Sequence, residues 1–506
     1  MKGISGITLR GTKALPVEVE VEITGGLFSI TVVGLPDTAV KEARERVRAA
    51  LRGIGLMLKG RIAINLAPAD LPKEGALLDL PMAIGLARAA GRVEVPDAAL
   101  FMGELALDGR LRWVRGAVPA AVLARETGVP LYVPKANERE VALVTGVEAY
   151  AVDTLIDLIL HFSGEKPLPR VEGATFDDVE LVVETDFADI KGQFAAKRAL
   201  EIAAAGHHNL LLTGSPGAGK TLLARALKGI LPPLSDEEMM EVLLVRSTAG
   251  LAFEPGRSRP FRSAHHTASS VAICGGGASM RPGEISLASR GVLFLDEFPE
   301  FARDVLESLR QPLEDGIMVV SRAAGSVTYP ARVLLVTACN PCPCGYYGDP
   351  VEPCKCTPHA MERYQRKLSG PILDRIDLHV AVPRLKPDEL VSLEGGTGEP
   401  SAEVRKRVQA AREMQHARWN ELGYQCNAEL PEKVLRRNLQ MEDDVKPFLA
   451  EAMKRLRLSG RGFSRVLRVS RTIADLEACE HIAVHHVAES LSYREGEAFG
   501  ASGWSS

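Results

Sequence analysis

A chain of 506 residues is long enough for about three domains, and its 25% charged and 46% hydrophobic residues exclude a disordered, collagenous or coiled-coil protein. Lys plus Arg number 61 against 65 Asp plus Glu, a net charge of −4, so no global positive field draws the chain onto nucleic acid or an anionic membrane and any polyanion site is local. No run of about 18 apolar residues occurs, and the alternating amino terminus MKGISGITLRGTKALPVEVEVEI lacks the continuous apolar region of a signal peptide, which predicts a cytoplasmic protein with no membrane partner.

In chain order, strand-like alternation at Val17 to Ile23 and Phe28 to Val33, a charged helical stretch at Asp37 to Leu51 and a strand at Arg61 to Leu66 predict an α/β domain over 1–162. The stretch 163–186 loses periodicity and gains prolines and acids, the composition of a linker or an exposed hairpin, and marks a domain boundary. Strand-like runs at Asn209 to Thr213, Val292 to Leu295 and Val333 to Ala338 alternate with helical segments, which predicts a parallel sheet covered on both faces within 187–386. A glycine-rich break at 387–400 precedes helical periodicity at Ala402 to Leu422, Asp443 to Leu456 and Phe463 to His481. These place a helical domain at 401–496 and a frayed tail at 497–506.

Gly214-Ser215-Pro216-Gly217-Ala218-Gly219-Lys220-Thr221 follows the apolar run Asn209 to Thr213 and precedes a helical stretch, the context of a phosphate-binding P-loop. The glycines let backbone N–H groups approach phosphates, Lys220 neutralises their charge, and the Thr221 hydroxyl holds magnesium. The apolar strand before Asp296-Glu297 brings two carboxylates to the carboxyl edge of the sheet. There Asp296 serves magnesium and Glu297 polarises the attacking water.

With both motifs in place the chain resembles the AAA+ ATPases, and more closely their magnesium-chelatase-like branch containing the YifB and ComM proteins. Pro282 to Glu297, Asn340-Pro-Cys-Pro-Cys-Gly345 and Ser459 to Arg468 carry that likeness over nearly the whole chain. It implies a P-loop AAA+ core of parallel sheet and helical lid that uses ATP and Mg2+. It also implies a sensor-1 role for Asn340, an arginine finger at Arg375 that reaches a neighbour's nucleotide, and a sensor-2 arginine at Arg465, donated from the lid to the γ-phosphate. Read without the family, Arg375 pairs locally with Asp374 or Asp377, and Arg465 is one of several arginines, with Arg461 and Arg468 nearby. A finger acting in trans implies a ring, here a homo-hexamer.

Cys342, Cys344, Cys354 and Cys356 form two C-x-C pairs inside a glycine- and proline-rich loop. Four thiolates so close are suited to one structural, tetrahedral zinc, which leaves no position open for catalysis. Free cysteines or a redox pair are the alternative, with Cys339 or His359 as substitute ligands.

Two insertions are candidate DNA contacts. Asp315 to Pro330 reads as a hairpin whose turn holds Arg322 and Gly325; it resembles the pre-sensor-1 hairpin of the helicase clade that includes the minichromosome maintenance proteins. Arg259 to Gly277, with His265 and His266, is similar to that clade's helix-2 insert. A few cations repeated around a ring make a basic channel despite the acidic total.

Leu71 to Leu80 and Met102 to Gly116 resemble the peptidase domain of the Lon proteases. The position matching that family's serine is Leu77, and no serine lies between Ser29 and Ser163 and no lysine between Lys73 and Lys135, so the Ser/Lys dyad is missing. The resemblance as a whole implies an ATP-hydrolysing hexameric motor acting on single-stranded or branched DNA. Helicase or branch-migration activity in homologous recombination and natural transformation follows, with recombination proteins as partners. The alternative is a protein remodeller resembling a magnesium chelatase motor subunit.

Overall fold

The computed structural model describes residues 3–494 except 74, 177–182, 253, 255, 278, 323–324, 369, 386–397 and 457. Most of the break read at 387–400, and the whole tail from 497, therefore lie outside the described residues.

The amino-terminal domain is built on a mixed sheet. Its strands are β1 (Ile4–Arg10), β2 (Lys13–Thr24), β3 (Ser29–Val33), β4 (Arg61–Ala67), β5 (Leu100–Phe101), β8 (Leu131–Pro134) and β9 (Ala149–Val152), in the order β3-β4-β2-β1-β5-β8-β9. The short strands β6 (Glu104–Leu105) and β7 (Leu111–Arg112) pair beside it. Along β2, Val17 and Val19 are buried while Glu18 and Glu20 face solvent, the alternation a one-sided strand requires. The helix Thr38–Gly53 starts where the Asp37 carboxylate accepts a hydrogen bond from Val40 N at 2.8 Å, a cap whose loss costs about 1 kcal/mol. It buries Val40, Ala43, Val47, Ala50 and Leu51, one stripe at helical spacing, against Ile62, Ile64 and Leu66 of β4.

Residues 163–176 are not the free linker that their composition predicts. Val171 N donates to Ala149 O at 2.8 Å, Ala174 N donates to Ala142 O at 2.9 Å, and the Val171 side chain is buried in the domain's core. The charged, proline-containing stretch passes β9 at Val171 and the helix Glu138–Ala142 at Ala174.

The second sheet is formed by β10 (Leu210–Thr213), β11 (Phe261–Ala264), β14 (Val292–Leu295), β17 (Leu334–Cys339) and β18 (Leu378–Ala381), all parallel, in the order β11-β14-β17-β10-β18. Between them lie two small ladders, β12 (Gly275–Gly276) with β13 (Arg281–Pro282), and β15 (Ile317–Arg322) with β16 (Gly325–Pro330). Strand β10 is apolar on both sides because both faces are covered. Leu210 and Leu212 meet the helices Phe194–Gly206 and Lys220–Ile230, whereas Leu211 packs with Phe298, Leu309 and Ile376.

The carboxyl-terminal helices divide between two cores. The helix Ser401–Trp419 places Val404, Val408 and Ala411 in the cluster that also holds Leu223 and Leu227 of the P-loop helix, so it covers one face of the sheet. The remainder packs around Trp419, Leu449, Leu467 and Val487. Ser401 closes the unit on its own beginning: its N donates to Asp186 Oδ1 at 3.1 Å and its Oγ accepts from Phe187 N at 2.9 Å. The amino-terminal domain packs on this second unit through the helix Asp236–Ala249. Its Ser247 Oγ donates to Glu140 Oε2 at 3.1 Å, and its Leu243 enters the amino-terminal core. Among the described residues no helix is long and apolar enough to cross a membrane.

Candidate nucleotide site

Strand β10 ends at Thr213, and the chain turns through Gly214 to Gly219 into the helix Lys220–Ile230. Gly214 passes so close to the segment after β18 that a Cβ there would lie 2.2 Å from Val382 O, and Gly219 caps the helix at φ 92°, a conformation that favours glycine. The Lys220 ammonium curls back onto its own loop, donating to Ser215 O at 3.0 Å and to Asn340 Oδ1 at 3.1 Å. Burial pushes the Lys220 pKa down while Asp296 opposes the shift. These bonds hold the cation at the mouth of the loop.

The two neighbouring strands complete the edge. Asp296 follows β14 and Asn340 follows β17, so both emerge beside the P-loop. Thr221 Oγ1 donates to Asp296 Oδ2 at 3.0 Å, a hydroxyl and carboxylate pair that fits an octahedral, oxygen-ligated magnesium. Glu297 occupies the left-handed region at φ 52°, and its Oε2 lies 2.8 Å from His266 Nδ1. Sequence reasoning missed Gln193, whose Nε2 donates to Pro383 O at 2.7 Å and whose Oε1 is buried with no hydrogen-bond partner among the described residues. Its position just before a helix, far from the motifs in sequence, gave no signal.

Arg375 and Arg465 lie elsewhere. Both line a cavity of about 570 Å³ with Asp377, Arg461, Arg468 and Glu314, at the end of the sheet where β10 and β18 begin. Arg375 Nη2 pairs with Glu314 Oε1 at 2.6 Å, an acid the sequence does not single out, and its Nε donates to Arg310 O at 3.1 Å. Arg465 Nη1 pairs with Asp377 Oδ1 at 2.6 Å. Burial raises the Asp377 pKa, but the Arg465 guanidinium and His208 overcome it and hold the carboxyl well below the usual range. The length of a four-residue strand, roughly 13 Å, separates these arginines from the P-loop of the same chain. Arg465, on the helix Gly460–Leu476, thus lies at the opposite end of the sheet from the P-loop of the same chain. Asn209 ties the start of β10 to its neighbours, donating from Nδ2 to Arg375 O at 3.0 Å and accepting at Oδ1 from Leu335 N at 2.9 Å.

The four cysteines converge. The Sγ atoms of Cys342, Cys344, Cys354 and Cys356 lie within 4.8 Å of one another, with Cys342–Cys354 at 3.7 Å and Cys344–Cys354 at 3.6 Å. A tetrahedral zinc with Zn–S of about 2.3 Å requires S···S edges of about 3.8 Å, so the donor set fits that metal. Cys339 is not part of it; it faces Thr213 at 3.5 Å, and burial pushes its thiol up to about 11. The loop lies on the nucleotide pocket, where a Cβ at Gly345 would meet Pro216 Cδ at 2.7 Å and the Ser215 hydroxyl helps hold the Asp349 carboxylate below its usual range.

The two insertions form one body. Tyr329 Oη of β16 donates to Met280 O between β12 and β13 at 2.8 Å, and Val320, Val327 and Tyr329 cluster with Met280 and Met318. Arg322 is exposed at the end of β15. The insert is shorter than the sequence predicts: Phe261–Ala264 is an edge strand of the core sheet, Arg259 pairs with Glu238 at 2.8 Å and Arg262 with Glu284 at 2.6 Å. His265 Nδ1 bonds Thr267 Oγ1 at 2.8 Å, and His266 is engaged by Glu297. In the amino-terminal domain Leu77 is buried in the core, and the Lys73 ammonium donates to Pro68 O.

Three family models match the chain: "Subunit ChlI of Mg-chelatase" over residues 19–137, "Magnesium chelatase, subunit ChlI" over 186–390, and "Magnesium chelatase, subunit ChlI C-terminal" over 398–494. The chain is 44% identical over 499 residues to the competence protein ComM of Haemophilus influenzae, covering 96% of this chain and 95% of that protein. It is 45% identical over 489 residues to the YifB protein of Escherichia coli, with the same coverage. A magnesium-chelatase 67 kDa subunit of Heliobacterium mobile is 25% identical over 236 residues, 40% of this chain and 34% of that one.

Proposed function

The chain belongs to the magnesium-chelatase-like AAA+ proteins of the ComM and YifB family, and from that premise we propose that it is an ATP-hydrolysing hexameric motor that moves on DNA. Branched recombination intermediates, unwound or migrated during homologous recombination and natural transformation, are its substrate, with recombination proteins as partners. The observation that carries the ring is the division of the nucleotide machinery between two edges of one sheet. Lys220, Thr221, Asp296, Glu297 and Asn340 stand at one edge, and Arg375 and Arg465 at the other. A transferring phosphoryl needs cations around it, and only a second copy placed head to tail can bring those arginines to this P-loop.

Within one site, Thr221 and Asp296 hold magnesium, which neutralises phosphate charge when bound. Lys220 leaves its carbonyl partners for the phosphates, Asn340 orients the attacking water, and Glu297 accepts its proton. Zinc is held by Cys342, Cys344, Cys354 and Cys356 as a closed structural site. DNA is favoured by the paired insertions and the exposed Arg322, and by the name of the ComM relative. Protein remodelling is the second reading, since all three matching models carry the name of a magnesium chelatase subunit.

The deciding experiment follows forked and four-way DNA with ATP, using wild type and Glu297→Gln, and measures ATPase rates with and without DNA. DNA-stimulated hydrolysis with strand movement, both lost in Glu297→Gln, supports the motor. Hydrolysis indifferent to DNA, without strand movement, overturns it in favour of the remodeller.

A further inference from the structure

We propose that the DNA path extends onto the amino-terminal domain, where Arg10 joins Arg281 and Arg322 in one phosphate-binding site assembled from three separate segments. This rests on the DNA reading above and adds to it a domain that contributes no residue to ATP hydrolysis.

Arg10 and Arg322 come together at the end of the β15–β16 ladder, and Arg281 stands on the β12–β13 ladder beside them. Arg322 stands directly opposite Gly325 in the antiparallel register, and a Cβ at Gly325 would lie 2.9 Å from Arg10 Nη2. Arg10 Nη2 also reaches Ser326 O at 3.5 Å. Next to it, a Cβ at Gly11 would meet Val327 Cγ1 at 2.4 Å, so the β1–β2 turn sits against the hairpin. From the other side, Gly276 pairs with Arg281, and a Cβ at Gly276 would lie 3.0 Å from Arg322 Nη2. Two glycines thus keep the backbone low where guanidinium groups lie on it.

All three arginines are exposed, and among the described residues none pairs with a carboxylate. That distinguishes them from the basic face of the helix Ser401–Trp419, where Lys406 pairs with Glu403 and Arg407 stands between Glu201 and Glu399. Like charges collected at one point repel unless an anion lies between them. Arginines are the side chains that meet phosphate oxygens with a planar fork of donors. A chain of phosphodiesters passing the hairpin supplies such anions at the spacing of successive segments, and six-fold repetition supplies the field that a net charge of −4 withholds. Arg10 is the informative member, because it reaches the hairpin from a different domain.

The test uses the full-length protein with a non-hydrolysable ATP analogue and a fluorescent single-stranded oligonucleotide, with anisotropy titrations over a salt series. Arg10→Gln keeps a donor for Ser326 O and removes the charge; Arg10→Lys keeps the charge. The expected result is weaker binding for Arg10→Gln, about tenfold, with a dependence of log K on log salt that is shallower by about 0.7 for each phosphate no longer neutralised. Arg10→Lys should keep the wild-type slope, and basal ATPase without DNA should be unchanged in both. Wild-type affinity and slope in Arg10→Gln overturn the proposal, and so does equal loss in the two variants, which assigns Arg10 to hairpin docking. Should either variant lose its basal ATPase, Arg281→Gln is put through the same titration, with the same shallower slope expected and an unchanged slope decisive against the site. Failure of the wild type itself to bind with a salt-dependent affinity is a separate outcome, and it sinks the DNA reading with this one.

Discussion

His266 Nδ1 lies 2.8 Å from Glu297 Oε2, so the carboxylate assigned to the attacking water is held by the second residue after strand β11. The register explains the meeting: Ala264 pairs with Leu295, and both side chains stand two positions beyond that pair. Glu297 must leave His266 before it can serve a water in line with a γ-phosphate. Replacing His266 by Ala is expected to raise the ATPase rate without DNA severalfold and to shrink the stimulation by DNA. Phosphate release with and without DNA measures both, and an unchanged basal rate removes His266 from this role. Glu297→Gln, by contrast, should lower hydrolysis by at least about 10²-fold while nucleotide binding persists.

Arg375 and the P-loop occupy opposite edges of the sheet, which predicts complementation between two dead variants. Lys220→Ala should lose nucleotide binding, and Arg375→Ala should bind nucleotide while turnover falls by about 10³-fold. Mixed together, an intact P-loop meets an intact Arg375 at some interfaces, so activity should return to a measurable fraction of wild type. A mixture no more active than its components excludes a finger acting between subunits.

The cysteine loop rests on Pro216 and beside Ser215, so a metal held by the loop would be coupled to a nucleotide through packing. Purified protein should carry one zinc per chain, and Cys354→Ser with Cys356→Ser should remove it. That variant should also weaken fluorescent ATP-analogue binding by roughly tenfold, because Gly345 no longer covers Pro216. Metal analysis finding no zinc ends the structural-zinc reading; full nucleotide affinity after metal loss ends the coupling.

Asp377 is buried between Arg465 and His208 with a depressed pKa, and the sign of its contribution follows. A carboxyl held below its unfolded value of about 4 stabilises the folded state at higher pH, and that stabilisation fades as pH falls through 4 toward the folded value. Asp377→Asn leaves a buried guanidinium without its counter-charge and should cost about 3 kcal/mol at pH 7. The difference from wild type in urea midpoint should narrow below pH 4. A difference that stays constant with pH shows that packing, not charge, is lost.

The eight residues from Gly214 to Thr221 are legible in sequence because the turn, the chemistry and the flanking strand and helix are all local. The cysteines are legible for a similar reason, since a short loop has few ways to separate them. The side of the sheet that Arg465 occupies is not legible. It depends on Asp186, Ser401, Val404 and Val408, spread over two ends of the unit, which together lay a lid helix along the sheet. His266 reads as a candidate DNA contact, and its meeting with Glu297 is not legible until β11 is known to lie beside β14. The acids and prolines of 163–176 read as a linker because nothing local announces that β9 accepts their backbone.

Asn209 gives the sheet a mechanical property. Its side chain grips the Arg375 backbone and strand β17 at one end of β10, while Gly214 opens the phosphate loop at the other. Four strand residues, Leu210–Thr213, are all that lies between the phosphate loop and the Arg375 backbone, so a displacement of the loop would have a short, hydrogen-bonded path to the proposed finger. In the proposed ring such rods would stand end to finger around the circle, and a push on a single strand would be the route by which one subunit's hydrolysis sets the phase of the next.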